Sequence, residues 1–185
     1  AFNVPGVVPG PAPFANTTSL AFDGVDEYVD LGRLTDLDGM TSATWSFWIR
    51  SSPISTNDWA MGQWRTSNRV WSVFTRGTTG FRFQISNNGT TQNYGETPSS
   101  TFVAGTWAHV IAVYDGAQAS NAPRLVVYIN GAAVSLTFSG TIPASAHSST
   151  TGDTFLGAVD NGPAAPFSGQ LDEVAWWSSA ATPAK

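Results

Sequence analysis

The 185-residue chain contains no cysteine. That excludes disulfide scaffolds, thiol catalysis and cysteine-ligated zinc, while leaving the cellular compartment open. Charge is scarce as well: 8 basic and 13 acidic residues give a formal net charge of −5. The basic residues are scattered along the chain, so no clustered basic face is available for nucleic acid or for insertion at an anionic membrane. No run approaches the ~18 consecutive apolar residues of a membrane-spanning helix, and the N-terminus lacks the basic and apolar segments of a secretory signal. The expectation is a chain exported after loss of a leader, or without one. Neither a Gly-x-Ser-x-Gly elbow nor a glycine-rich phosphate loop occurs.

What the chain does hold is aromatic: 8 tryptophans and 11 phenylalanines, set among Ser, Thr, Asn and Gly. That composition suits a sheet protein with a large aromatic core, and the length suffices for one such domain. Residues 1–18 carry four prolines and can form neither a helix nor an interior strand. They read as an extended Pro/Gly-rich arm. It is either a linker or, through Phe2, Val4, Val7, Val8 and Phe14, a segment that docks on its own domain or on neighbouring subunits.

The strongest local pattern runs from Gly105 to Gly131. Trp107, His109, Ile111 and Val113 alternate with Ala108, Val110, Ala112 and Tyr114, the period of two that sends the sets to opposite faces of a strand. Both sets are largely apolar, so this strand is expected at the centre of a packed sheet system. Asp115-Gly116 ends it, Arg124 to Ile129 returns, and Asn130-Gly131 supplies a type I′ turn into Ala132 to Phe138. Further strands are expected at Ser19 to Asp23, Glu27 to Leu31, Thr44 to Arg50, Asp58 to Trp64, Arg69 to Thr75, Gly80 to Ser86, Thr90 to Tyr94, Thr154 to Val159 and Gly169 to Trp177. In Thr44 to Arg50, Trp45, Phe47 and Ile49 share the core face, and Trp48 is expected on the opposite, concave surface. In Gly80 to Ser86, Phe81, Phe83 and Ile85 face one way while Arg82, Gln84 and Ser86 face the other.

Trp-x-His-Val at Trp107, then an apolar strand, Tyr-Asp-Gly, and Leu-x-x-Tyr-x-Asn-Gly resemble the laminin-G-like, concanavalin-A-like lectin/glucanase jelly-roll family. LAFDG at Leu20, EYVDL at Glu27, TWSFWIR at Thr44 and GQLDEVAW at Gly169 resemble its opening, core and closing strands, in order and spacing. The resemblance implies an all-β, two-sheet antiparallel sandwich over residues 19–178, between the arm and a tail of 179–185. It implies a binding or accessory module rather than a catalyst. Members usually continue into a short helix, so the chain is expected to be cut short or to end differently.

Glucanases of this fold resemble Glu-x-Asp-x-x-Glu on one strand, which aims two carboxylates into a cleft. Here Glu occurs only at Glu27, Glu96 and Glu173, and strand alternation sends the neighbours Asp172 and Glu173 to opposite faces, so no enzyme is expected. His109 reads as a hydrogen-bonded residue of a packed strand, and His147 is near Asp153 in sequence only. The resemblance also implies a structural Ca²⁺ held by carboxylates near the first and last strands, positions taken by Asp23 and Asp172. The alternative is that Asp23 starts the turn before Gly24 and Asp172 bonds a nearby amide. Asp36-Leu37-Asp38-Gly39 resembles half a calcium loop but lacks its later acidic ligands, which favours a turn.

For ligand binding, Trp59, Trp64 and Trp71, with Arg65 and Asn68 and the nearby Gln63 and Arg69, fall on adjacent strands and could present aromatic platforms beside polar partners. The alternative is that these rings pack in the core. Two roles are expected from these features. One is a carbohydrate-binding or adhesive surface module, extracellular, that meets a glycan or protein surface. The other is a structural decoration subunit of a larger assembly such as a phage capsid, at the virion surface and tied to neighbours by its arm.

Overall fold

The computed structural model describes residues 17–52, 57–77, 80–159 and 165–182. Apart from Thr17 and Thr18, the expected arm lies outside them. In chain order the strands are β1 (Leu20–Asp23), β2 (Val29–Asp30), β3 (Ser42–Ser51), β4 (Trp59–Arg65), β5 (Asn68–Arg76), β6 (Gly80–Gly89), β7 (Asn93–Glu96), β8 (Ala108–Asp115), β9 (Leu125–Ile129), β10 (Ala132–Val134), β11 (Thr137–Ser139), β12 (Phe155–Leu156) and β13 (Ser168–Trp177).

They form two antiparallel sheets. One has six strands in the order β1-β13-β3-β8-β9-β10, the other seven in the order β11-β7-β6-β5-β4-β12-β2. Period-two alternation turns one side of each inward. From the six-stranded sheet come Trp45, Phe47, Ile49, Val110, Ala112, Tyr114, Leu125 and Val127. From the seven-stranded sheet come Met61, Trp71, Val73, Phe81, Phe83 and Ile85. Trp45 and Trp71 meet across the interface with ring centroids 5.1 Å apart, a contact worth ~0.5–1.5 kcal/mol beyond its area burial. Fully buried aromatics such as Phe47 and Phe81 anchor the same core, and truncating one to alanine costs about 3–5 kcal/mol in such a setting.

The β8–β9–β10 meander forms as its sequence pattern requires. Asn130 and Gly131 both have positive φ, 50° and 81°, the pair that a type I′ turn needs. Two features differ from expectation. The run Ala132 to Phe138 breaks into β10, on the edge of the six-stranded sheet, and β11, which crosses to pair with β7 at the edge of the seven-stranded one. Among the described residues no further layer covers the second face of β8 either. His109, Ile111 and Val113 point outward and are half-buried.

The tail also does more than its composition suggests. Thr44 Oγ1 donates to the carbonyl of Ser179 at 2.7 Å and accepts from the amide of Ala181 at 2.8 Å, so residues 179–181 lie against the start of β3 and bury that threonine.

Tyr114, on the inner side of β8, donates its hydroxyl to the carbonyl of Pro143 at 2.9 Å. Burial pushes its pKa up to about 12, with Arg124 opposing and Asp115 adding smaller effects. The folded value lies above the ordinary value near 10, so this residue's contribution is complete below pH ~10 and is lost as pH rises towards 12. Stability measured by urea denaturation is expected to decline across that interval. In Tyr114→Phe the decline flattens, and stability at neutral pH falls by about 1 kcal/mol; equal slopes in the two proteins would refute this role.

Candidate functional site

The inward turn of Trp71 and Phe83 forces their strand neighbours outward. Register brings Trp59 of β4 opposite Phe74 of β5, Phe74 opposite Arg82 of β6, and Arg82 opposite Glu96 of β7. These four residues make one row across the outer face of the seven-stranded sheet. A second row, Gly62, Ser72, Gln84 and Tyr94, lies beside it. Gly62 and Ser72 keep that row low. A Cβ on Gly62 would come within 2.8 Å of the Ser72 Cβ. The Gln84 amide donates to Ser72 Oγ at 3.1 Å.

Aromatic rings stand around this floor. Trp59 lies 4.6 Å from Phe74 and 6.3 Å from Trp64, centroid to centroid. The Arg82 guanidinium sits 3.9 Å above the Tyr94 ring and 5.7 Å from that of Phe74. Arg82 Nε and Nη2 both reach Glu96 Oε2, at 2.9 and 2.8 Å. Arg76 Nε is 3.2 Å from the same oxygen, an ion pair without hydrogen-bond alignment. Two guanidinium groups thus share one carboxylate, and the cluster keeps a net positive charge.

Of the residues singled out by sequence, Trp59 and Trp64 reach this face. Trp59 is half-buried and Trp64 is buried beneath the Arg69 guanidinium, 5.6 Å from its ring. Arg65 and Asn68 pair across the β4–β5 turn at the end of the face, where Ser67 takes a φ of 66°. Trp71 does not join them: it is 1 % exposed and packs on Trp45, because alternation along β5 turns it into the core. Gln63 is buried and donates to Asp38 Oδ1 at 2.9 Å and the Gly152 carbonyl at 3.0 Å. Phe74, Tyr94 and Glu96 were not singled out as site residues. Their signal was the polar set of β6, since Arg82 and Gln84 mark the outward face that their cross-strand partners must share.

The calcium expectation does not fit these residues. Asp23 pairs with Ser168, not with Asp172. The two carboxylates are therefore four strand positions apart, about 13 Å, too far to share one ion. Asp23 Oδ1 accepts the Val25 amide at 2.8 Å and Asp172 Oδ1 the Glu173 amide at 2.8 Å. Asp38 is taken by Arg33 and Gln63. Among the described residues no three His, Cys, Asp or Glu side chains gather at one point.

Trp48 lies on the outer face of the six-stranded sheet, 36 % exposed, with its ring 5.0 Å from His109. His109 Nε2 is 2.9 Å from Ser46 Oγ, and burial lowers its pKa from the usual 6.5, with Glu173 opposing. Glu173 stands at a β-bulge with a φ of 48°, which interrupts the strict alternation expected of Asp172 and Glu173.

This architecture is a two-sheet jelly-roll sandwich with an aromatic outer face. Residues 23–185 match the laminin-G-type family model described as the concanavalin A-like lectin/glucanases superfamily, and the chain belongs to that family. No curated protein matches the chain in sequence. Among solved structures, it is similar to the Ruminococcus gnavus IT-sialidase CBM40 bound to α2,3-sialyllactose, at 12% identity and a TM-score of 0.66, covering 89% of this chain and 91% of that one. A mutant of NanB sialidase from Streptococcus pneumoniae is 17% identical with a TM-score of 0.68, over 89% of this chain but 26% of that one. Domains LG4-5 of the mouse laminin alpha1 chain are 15% identical with a TM-score of 0.57, over 88% and 43%. At these identities the likeness is one of fold.

If Arg82 organises the face, Arg82→Ala lowers stability by about 1–2 kcal/mol in denaturant unfolding, from the lost ring contacts and the loosened Glu96. Arg82→Lys recovers only part, because an ammonium keeps the charge without the planar surface. Full recovery by lysine would show that charge alone matters there.

Proposed function

We propose that the domain is a non-catalytic carbohydrate-recognition module that works outside the cell, with the Trp59, Phe74 and Tyr94 face as its contact surface. The observation that carries this reading is the grouping of these rings with Arg82 and Glu96 on one outer sheet face. Sugar rings present patches of C–H groups edged by hydroxyls. Aromatic faces take the first, while charged and amide groups placed beside them take the second. The sialyllactose complex of a module with the same fold supports the reading by likeness of architecture.

A hydrolytic role finds less support. A retaining glycosidase needs two carboxyl groups about 5–5.5 Å apart. In the two rows described, the carboxylate is Glu96, and its Oε2 is held by Arg82 and approached by Arg76. Among the described residues no helix is long and apolar enough to cross a membrane. The decoration-subunit reading rests on the arm, most of which lies outside the described residues.

A glycan array followed by calorimetry tests the proposal. At least one saccharide is expected to bind, and Trp59→Ala or Tyr94→Ala to weaken it about tenfold, or ~1.4 kcal/mol. The idea fails if no saccharide binds, or if both variants bind like the parent.

A further inference from the structure

A second concave feature lies apart from that face. Asn93 and Tyr94 are consecutive on β7, so the alternation that sends Tyr94 outward sends Asn93 the other way. Asn93 opens onto a groove of about 570 Å³, within the ~300–1,000 Å³ of small-molecule sites. One wall is the β6–β7 hairpin, with Asn87, Asn88 and Asn93. The other is the segment after β11, with Thr141 and Ser145, and Arg124, just before β9, also lines it.

The second wall is held in place although its residues are small. Asn121 Nδ2 donates to the Gly140 carbonyl at 2.9 Å, and its Oδ1 accepts from the Ile142 amide at 2.8 Å. Tyr114 holds the Pro143 carbonyl, and the Ala146 amide donates to the Met40 carbonyl at 2.8 Å. Gly140 has a φ of 73°, and a Cβ there would fall 2.4 Å from Asn93 Oδ1, so only glycine lets the two walls approach this closely. A groove built this way is organised before any ligand arrives.

Its chemistry is selective. Arg124 donates through Nε to the Gln118 carbonyl and through Nη1 to the Ile142 carbonyl, both at 2.7 Å. These are neutral acceptors, and among the described residues no carboxylate lines the groove, so none of them neutralises the guanidinium charge there. Asn87, Thr141 and Ser145 make no side-chain hydrogen bond within the described residues. Carboxamides and hydroxyls offer donors and acceptors together. That suits sugar hydroxyls, which also do both, whereas a bare phosphate ion would chiefly accept.

From this we infer that the groove is a second saccharide site, specific for a sugar unit bearing an anionic group, a carboxylate or a sulfate, that Arg124 recognises. It does not depend on the Trp59 face, and the two readings can fail separately.

The test is titration of the full ¹⁵N-labelled chain with a glucuronate-containing disaccharide, its sulfated analogue and the neutral glucose isostere. Shifts are expected in the side-chain amides of Asn87, Asn88 and Asn93 and in the Arg124 signals, with at least one charged sugar binding tenfold or more tightly than the neutral one. The difference should shrink as salt rises. The two charged sugars together tell whether carboxylate or sulfate is preferred. Arg124→Gln should reduce the preference to near parity. Because Arg124 also ties the wall, Asn87→Ala, at an exposed position, is the second variant and should weaken binding several-fold with an unchanged melting temperature. The inference is overturned by equal affinity for charged and neutral sugars, by shifts confined to the Trp59 indole, or by unaltered binding in both variants.

Discussion

The contact between Trp45 and Trp71 joins the two sheets, and the placement of the surrounding side chains follows from it. Each is almost wholly buried, and each sits on a strand flanked by partners on both sides. With these rings inward, period-two geometry leaves no choice for their neighbours. Phe74, Arg82, Tyr94 and Glu96 must then face out from one sheet, and Trp48 and His109 from the other. A one-residue slip would bury Arg82 and expose Phe81 and Phe83, a cost of several kcal/mol that specifies the register strongly.

The two candidate surfaces are stiff for different reasons. The aromatic face is built on paired strands, where side-chain positions inherit the rigidity of the ladder. Arg82 adds to it by filling the space between two rings while neutralising Glu96. The groove is lined partly by loop, and a loop of Ser, Thr and Ala has little packing of its own. Its order comes from hydrogen bonds that Tyr114, Asn121 and Arg124 direct to its backbone. The domain carries a net negative charge, yet each of the two surfaces holds an arginine, Arg82 on the face and Arg124 in the groove.

Family membership and function are separate conclusions. The concanavalin A-like match covers nearly the whole domain and accounts for the sandwich. The same architecture occurs in a sialidase-associated module and in laminin domains, which share little sequence with this chain. Fold is preserved because alternation and a filled core suffice for it; recognition depends on the few side chains that face outward.

The sequence by itself determined most of the strands (though not the bounds of β7 or the break between β10 and β11), the inward residues Trp45, Phe47, Phe81 and Phe83, and the Asn130-Gly131 turn, because periodicity and turn chemistry are local properties that survive without knowledge of partners. It also marked Trp59 and Trp64 as candidates beside Arg65 and Asn68. Only the tertiary structure decided that Trp71 belongs to the core while Phe74 and Tyr94 belong to the face, since the pairing of β5, β6 and β7 sets which of their residues share a side. It likewise separated Asp23 from Asp172, whose strands are adjacent but whose register keeps them apart. The groove was beyond sequence reading altogether: Asn93, Arg124 and Ser145 are distant in the chain, and each is an ordinary polar residue until the hairpin, the short helix and the anchored loop bring them around one space.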